Sequence, residues 1–142
     1  MQYSNAPFKF VCIGSQVLNT AQKFENYSNY VNELNEILEA IDAHGIKNVV
    51  FLTGDRHQSE ISEFTSPSMI KMYDITSSPL TSSSRTRDDE VNRNRIQGSL
   101  ILQRNYTKIN IAGKRKERVL TVSFHDVNGI ELYRYSWSSQ LD

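Results

Sequence analysis

A segment with helical periodicity lies between two short apolar runs, and this arrangement limits the folds open to the chain. The runs FKFVCIG, residues 8–14, and NVVFLTG, residues 48–54, are rich in strand-forming residues, and each ends at a glycine. Between them, residues 29–45 carry apolar side chains at helical spacing, with Gly45 placed to end the helix. Strand, helix and strand in this order are typical of a parallel β-pair with a helix on one face.

The last third of the chain has a different pattern. Residues 98–113, 118–127 and 130–138 alternate apolar and polar side chains, as antiparallel strands do. The pair Asn128–Gly129 predicts a two-residue hairpin turn between the last two segments, because both residues tolerate positive φ. These three segments therefore predict an antiparallel meander.

The middle of the chain adds one strand and one loop. SMIKMYDITSS, residues 68–78, is rich in strand formers, whereas residues 81–95 are almost entirely polar and show no periodicity. We therefore expect a single α/β domain over residues 1–142. It should contain a mixed β-sheet with one long flanking helix and a C-terminal antiparallel meander.

Composition excludes several classes of partner. The 142 residues carry a formal net charge of zero, so the chain lacks the basic surface that duplex nucleic acid requires. No apolar stretch approaches the ~20 residues of a membrane span, and the N-terminus lacks the pattern of a secretory signal. The single cysteine, Cys12, cannot form an internal disulfide and is predicted to be a small buried apolar residue.

Four residues at the end of the second apolar run are the strongest candidates for chemistry. Ligands of strand–helix–strand sheets collect at the carboxyl ends of the strands, where Gly54, Asp55, Arg56 and His57 lie. A carboxylate and an imidazole two residues apart can both point at one cation, and we expect Gly54 to let the backbone turn without a Cβ clash. Aspartate and histidine near a strand end more often form a hydrogen-bonded turn than bind a metal, and two ligands alone do not make a metal site. Arg56 either contacts a phosphate or is solvated.

Other polar residues are weaker candidates. Gln16, after the first apolar run, either faces the same cleft or is a satisfied loop amide. His44 lies in the last helical turn, where an imidazole stabilises the helix end. His125 is predicted to be a surface residue of a hairpin, and the basic run at residues 114–118 a solvated loop.

Several segments resemble one family of enzymes. FLTGDRHQSEIS is similar to the G-D-x-H segment of the alkaline phosphatase D (PhoD-like) metallophosphoesterases. Further similar segments follow the family's order, with one departure, Thr107, where the family has a glycine after Arg-Asn-Phe. These segments are GSQVLN at 14–19, TSSPLTS at 76–82, NRIQGSL and QRNY within 94–106, and the closing DVNGIELYR.

The resemblance implies a fold and the part of it that this chain represents. PhoD-like enzymes have a calcineurin-like αββα sandwich of two sheets, with most metal ligands in N-terminal motifs such as G-D-x-x-D and G-N-H/D. Neither motif occurs in this sequence. The resemblance therefore implies that the chain is the C-terminal portion of such an enzyme and that the N-terminal metal-binding half is absent from it.

The resemblance also implies an activity. The complete enzyme would hydrolyse phosphomonoesters or phosphodiesters with divalent or trivalent metal ions. Carboxylate and imidazole donors suit iron, calcium, zinc or manganese and do not choose among them. Asp55 and His57 match the G-D-x-H positions and would be metal ligands or direct hydrogen-bond partners of the ligands, while Gln16 and Arg56 would contact the substrate. The partners implied are a phosphate ester and the missing N-terminal half. Family members are often exported, and the chain alone should be inactive.

Two other functions and one consequence for assembly complete the expectations. The chain is alternatively a non-catalytic interaction or assembly domain derived from the same fold, or a weak stand-alone metal-binding protein. Upstream G-D-x-x-D and G-N-H/D motifs would distinguish the first alternative from the enzyme. Because half of a sandwich should leave an apolar sheet face uncovered, we also expect a homodimer or higher oligomer.

Overall fold

The computed structural model of the protein describes residues 1–83, 90–114 and 116–140, which form two β-sheets and one long helix. The predicted loop at 81–95 falls partly on residues 84–89, which lie outside the described residues; its described parts contain no strand. In chain order the elements are β1 (Lys9–Cys12), a 3₁₀ turn (Tyr27–Asn29), α1 (Val31–Ala43), β2 (Val49–Thr53), β3 (Glu60–Thr65), β4 (Lys71–Thr76), β5 (Asn105–Ala112), β6 (Val119–Asp126) and β7 (Glu131–Ser138).

The first sheet has the strand order β1-β2-β4-β3 and contains the predicted parallel pair. β1 pairs with β2 and β2 with β4 in parallel, whereas β3 runs antiparallel to β4. The sequence did not predict β3. Its first three residues, Glu60, Ile61 and Ser62, are buried whether they are polar or apolar. The sequence EISEFT therefore lacks the pattern of a strand with one apolar and one polar face.

The helix α1 covers one face of the first sheet. Ile41 packs with Val49 and Phe51 of β2, and Gly45 ends the helix at a φ of 59° as predicted. Asn26 caps the short 3₁₀ turn that precedes α1, where its side chain accepts a hydrogen bond from Ser28 N–H. In the described part of the chain, neither the length nor the apolarity of any helix suffices to cross a membrane.

The meander, β5-β6-β7, covers the other face of the first sheet. Leu120, Val122 and Phe124 of β6 are fully buried against it, and Trp137 of β7 stacks on Tyr73 of β4 with ring centroids 4.0 Å apart. The expected uncovered sheet face is therefore absent. The chain's own meander occupies the place that we had assigned to the N-terminal sheet or a second copy, so the physical reason for a face-to-face homodimer does not hold.

Two local expectations in the meander are corrected. Only Gly129 of the predicted turn pair has positive φ, at 83°, and the turn is longer than two residues because Asp126 Oδ1 accepts hydrogen bonds from Asn128 N–H and Ile130 N–H. His125 is buried rather than at the surface. Its Nε2 lies 2.9 Å from Ser123 Oγ, and its ring stacks on Tyr106.

Cys12 is exposed, contrary to the prediction that it is buried. It lies at the end of β1, and β1 is an edge strand of the first sheet. An apolar run in sequence does not distinguish an edge strand from a central one, because both carry the same strand-forming residues. The neighbouring run in β2 is central, and its residues Val49, Val50 and Phe51 are at most 1% exposed.

We expect Phe124→Ala to reduce the free energy of unfolding by about 3–5 kcal/mol, because it removes a fully buried ring between the two sheets. Val127→Ala is the matched control, since Val127 is 70% exposed on the next turn and its truncation should change stability by less than about 0.5 kcal/mol. Urea denaturation measures both. Equal, small effects would mean that the meander does not cover the first sheet in solution.

Candidate functional site

The candidate site lies where the three parallel strands of the first sheet end. Gly54 N–H, after β2, donates to Gly14 O, after β1, at 3.2 Å. Ser77 N–H, after β4, donates to Thr53 O at 3.0 Å. The three strands therefore end at one level, and residues 54–57, which we name the GDRH loop, start from the middle strand. This is the sheet edge at which ligands are expected in folds of this type.

The GDRH loop alternates between outward and inward side chains. Asp55 is exposed and His57 is half-buried, whereas Arg56 between them is buried. Asp55 and His57 both have positive φ, 64° and 55°, which is uncommon outside glycine. The sequence had predicted that this turn needs a glycine at position 54, and that prediction is wrong. A Cβ at Gly54 would make only ordinary contacts, the nearest at 3.8 Å from Ser77 O.

Arg56 holds the loop in place through contacts inside the protein. Its Nη2 forms an ion pair of 2.5 Å with Glu90 Oε2, and both side chains are almost fully buried, at 2% and 3% exposure. The guanidinium also lies over the ring of Phe24, 5.3 Å from its centroid. Arg56 is thus not solvated, and Nη1 is left without a hydrogen-bond partner among the described residues. Its predicted contact with substrate stays a prediction.

Gln16 is fully buried and its amide is engaged by protein groups. Its Nε2 donates to Glu60 Oε1 at 2.6 Å and to Thr76 Oγ1 at 2.7 Å, and its Oε1 accepts from Asn19 Nδ2 at 2.8 Å. These bonds are those of a satisfied loop amide, which was one of the two roles considered for this residue. A contact between Gln16 and substrate also stays a prediction.

Glu60, at the start of β3, binds side chains from several loops around the site. Its carboxylate is completely buried and accepts hydrogen bonds from Gln16, Asn19 and Asn92. It also forms an ion pair with Arg95 through Nε. Asn19 in turn donates to Glu90 Oε1 at 2.6 Å, so the acceptor of Arg56 belongs to the same network. A buried carboxylate requires partners of this kind, because desolvation without them is costly.

Asp74, in the middle of β4, is the second buried carboxylate of the sheet. Its Oδ2 accepts from the backbone N–H groups of Val17 and Leu18 at 2.7 and 2.9 Å, and its Oδ1 accepts from Thr53 Oγ1 at 2.7 Å. Burial raises the pKa of Asp74 to about 6, although the three donated hydrogen bonds oppose this shift. Asp74 thereby fixes the chain that follows β1 against the sheet.

The segments that follow β4 and precede β5 complete the surroundings of the loop. His57 N–H donates to Ser78 Oγ at 3.1 Å, and Ser59 Oγ lies 2.8 Å from Asn105 Oδ1. Thr107, the departure from the family pattern, lies within β5 and not in a turn, and its Oγ1 donates to Ser77 Oγ at 2.6 Å. The segments at 76–82 and 103–106, singled out in the sequence, thus lie beside residues 57–59, although they are far apart along the chain.

The structure does not complete a metal centre within this chain. Among residues 1–83, 90–114 and 116–140, no three His, Cys, Asp or Glu side chains are grouped so that they could hold a metal ion. His44 is exposed at the end of α1 and His125 is in the meander, both apart from the GDRH loop. Asp55 and His57 are thus the two metal-ligand types that the GDRH loop itself carries.

Sequence reasoning missed the carboxylates that hold the site together. Glu60 and Asp74 are charged residues inside otherwise strand-forming segments, EISEFT and KMYDIT. A carboxylate within a buried strand is rare unless it is paired, so these two residues were a usable signal. Glu90 gave no such signal, because it lies in a polar stretch.

The chain is similar to one family and to a solved structure. A family profile described as PhoD-like phosphatase matches residues 7–127. A solved structure titled "Structure of PhoD" superposes with a TM-score of 0.63 at 14% sequence identity, covering 99% of this chain and 33% of that one. The chain thus spans about a third of the length of the structure that it matches. No curated protein matches it.

We expect the stability of the protein to depend on Asp74 between about pH 4 and pH 6. Because burial raises the pKa of this carboxyl from 3.8 to about 6, its favourable contribution to the folded state is complete below pH 4 and is lost as the pH rises through 6. Asp74→Asn cannot ionise. Relative to this variant, the wild-type free energy of unfolding should fall by roughly 2–3 kcal/mol between pH 4 and pH 7.

Asp126→Asn is the control for this experiment. Hydrogen bonds from Ile130 N–H and its neighbours lower the pKa of Asp126, so its contribution has the opposite sign and is lost as the pH falls. Denaturant titrations at several pH values give both dependences. A pH dependence for Asp74→Asn equal to that of the wild type would show that Asp74 is not the group responsible.

Proposed function

Because the chain belongs to the PhoD-like phosphatase family, we propose that it is the C-terminal part of a metal-dependent enzyme that hydrolyses phosphomonoesters or phosphodiesters. In this proposal Asp55 and His57 are metal ligands, and the remaining ligands come from polypeptide outside these 142 residues. The observation that carries the proposal is the conformation of the GDRH loop. Two non-glycine residues are held at positive φ at the end of a central parallel strand.

This backbone conformation supports a functional role because it costs free energy. A non-glycine residue in the left-handed region costs of order 1–3 kcal/mol, and it persists only where the surroundings hold it in place. Here the surroundings are the buried Arg56–Glu90 ion pair and the hydrogen bond from His57 N–H to Ser78 Oγ. The result is that the two flanking side chains, and not that of Arg56, are directed away from the core.

The donor types of the loop fit a metal ion. A carboxylate oxygen with an imidazole nitrogen suits iron, zinc, manganese or calcium, and the two donors do not choose among them. Asp55 and His57 would hold the metal, which when bound supplies Lewis acidity for phosphate-ester hydrolysis. Arg56 would keep the loop in position through its buried ion pair with Glu90.

A non-catalytic domain derived from the same fold is the second candidate. It is favoured by one observation: the carboxylates nearest the loop in the hydrogen-bond network, Glu60, Asp74 and Glu90, are already bonded to protein groups. A protein of this kind would keep the network for stability alone. The two candidates differ in metal content once the rest of a PhoD-like polypeptide is present.

The 142-residue chain alone should show no phosphatase or phosphodiesterase activity above background with added manganese, zinc, iron or calcium. Catalysis by bound metal ions needs a complete ligand set in fixed geometry, and the described residues supply two candidate ligands. A generic phosphodiester assay, with metal analysis of the same sample, measures this. Turnover by the purified chain that is abolished by Asp55→Ala would contradict the prediction.

In a complete enzyme that contains this chain, His57→Ala should lower turnover by orders of magnitude and reduce the bound metal, because it removes a ligand. His44→Ala is the matched control, since His44 is an exposed imidazole at the end of α1. Steady-state kinetics, metal content and circular dichroism should be compared for both variants. If the two had equal, small effects on turnover and metal content, the assignment of His57 would be wrong.

A further inference from the structure

The first sheet has two edge strands, and they differ in how they are covered. The edge of β3 is covered by the chain's own residues 95–101: Arg95 bridges to Ser62, and Ile101 bridges to Ser59. Ile96 N–H also donates to Ile61 O at 2.8 Å. In the described part of the chain, by contrast, β1 pairs with β2 and no strand lies on its other side.

The backbone of β1 presents unpaired groups at this free edge. Lys9 N–H donates to Asn48 O and Ile13 N–H donates to Leu52 O, both on the β2 side. Because successive residues of a strand direct their N–H groups to opposite sides, those of Phe10 and Cys12 point away from β2. Edge strands of stable proteins are usually protected by a charge, a proline or a bulge. Lys9 offers no such protection, because its ammonium bonds to backbone oxygens at the start of the strand.

Apolar surface is uncovered on both faces of β1. On the face toward the meander, Phe10 is 38% exposed and Cys12 is also exposed. On the face toward α1, an apolar cavity of about 300 Å³ is open between the edge strand and the helix. Its walls include Val11 of β1, Ile13 directly after β1, Ile37 and Ile41 of α1, Phe51 of β2, and Met1.

The meander shows the same feature on its edge strand β5. Ile109 and Ile111 pair with Val122 and Leu120 of β6, so they lie on the face that packs against the first sheet. Val122 and Leu120 are fully buried, yet Ile109 and Ile111 are 38% and 40% exposed. Each sheet of the sandwich therefore has an edge strand whose inward-facing apolar side chains are only partly covered.

We infer that the free edge of β1 is the docking site for an extended strand of the polypeptide that completes the PhoD-like fold, either upstream in the same chain or as a separate subunit. The solved structure that the chain matches is about three times as long as the matched part, so most of that protein must pack outside the region described. An added strand would bond to the N–H groups of Phe10 and Cys12. Its alternate side chains would enter the cavity beside Ile37 and cover Phe10.

This inference rests on the proposed function for the identity of the strand, but not for the position of the site. A second copy of the chain is the competing occupant, since two β1 edges can pair about a two-fold axis. We favour the remainder of a PhoD-like polypeptide because it would also account for the uncovered residues of β5.

The labelling rate of Cys12 measures whether another strand covers the free edge of β1. The protein is recovered from its source cells through an affinity tag at the C-terminus, and the rate of maleimide labelling at Cys12 is followed by mass spectrometry of its peptide. The same rate is measured for the isolated 142-residue chain. We expect labelling to be slower in the native form by roughly tenfold or more, because an added strand would shield the thiol. Hydrogen exchange at the Phe10 and Cys12 amides should slow in parallel.

Two variants make the test specific. Phe10→Asp in the native form should return Cys12 labelling to the rate of the isolated chain, whereas Val127→Asp, at an exposed turn, should leave the protection in place. Equal labelling rates in the wild-type native form and the isolated chain would overturn the inference. So would protection in a particle whose mass is that of two 142-residue chains.

Metal content separates this inference from the proposed function. Protection of Cys12 in a native form without bound metal would leave the docking site in place and contradict the proposed enzyme. Bound metal in a native form whose Cys12 is not protected would support the proposed enzyme and contradict the docking site.

Discussion

Two buried carboxylates of the first sheet hold the loops of the candidate site in place. Glu60 and Asp74 cannot be solvated, so each must accept hydrogen bonds from the protein, and in this fold their donors come from the loops. Asp74 accepts hydrogen bonds from the backbone N–H groups of Val17 and Leu18. Glu60 accepts hydrogen bonds from the side chains of Gln16, Asn19 and Asn92 and forms an ion pair with Arg95. Removing either carboxylate would leave several buried donors unpaired at once, which is why this network matters more than any single contact in it.

The GDRH loop depends on this network through Arg56. The residue is drawn inward by Glu90, which is joined through Asn19 to Gln16 and Glu60. With Arg56 fixed inside, the backbone passes through the left-handed region on either side, and Asp55 and His57 lie outside the core. A buried ion pair is in general weak evidence for stability, because desolvation offsets the attraction. Its effect here is to select one conformation of the loop.

The pattern of apolar residues along the sequence predicted the helix and most of the strands. It gave α1, the parallel pair of β1 and β2, the strand β4 and the meander, because these segments carry a helical, alternating or continuous apolar pattern. It missed β3, which is buried on both faces yet contains a glutamate, and it could not distinguish the exposed edge position of Cys12 from the central position of Val50. The site residues Asp55 and His57 followed from a strand end and a family resemblance. Glu90 did not, since its partner Arg56 is 34 residues away and no local pattern links them.

The proposed function requires that the GDRH loop of this chain binds metal when the rest of a PhoD-like polypeptide is present. Anomalous X-ray diffraction from crystals of the complete protein, collected at the absorption edge of the bound metal, tests it most directly. If the loop binds metal, the anomalous peak should lie at coordination distance, roughly 2.0–2.2 Å for zinc, from an Asp55 oxygen or a His57 nitrogen. A metal peak with neither residue at coordination distance, or none in an active enzyme, would contradict it.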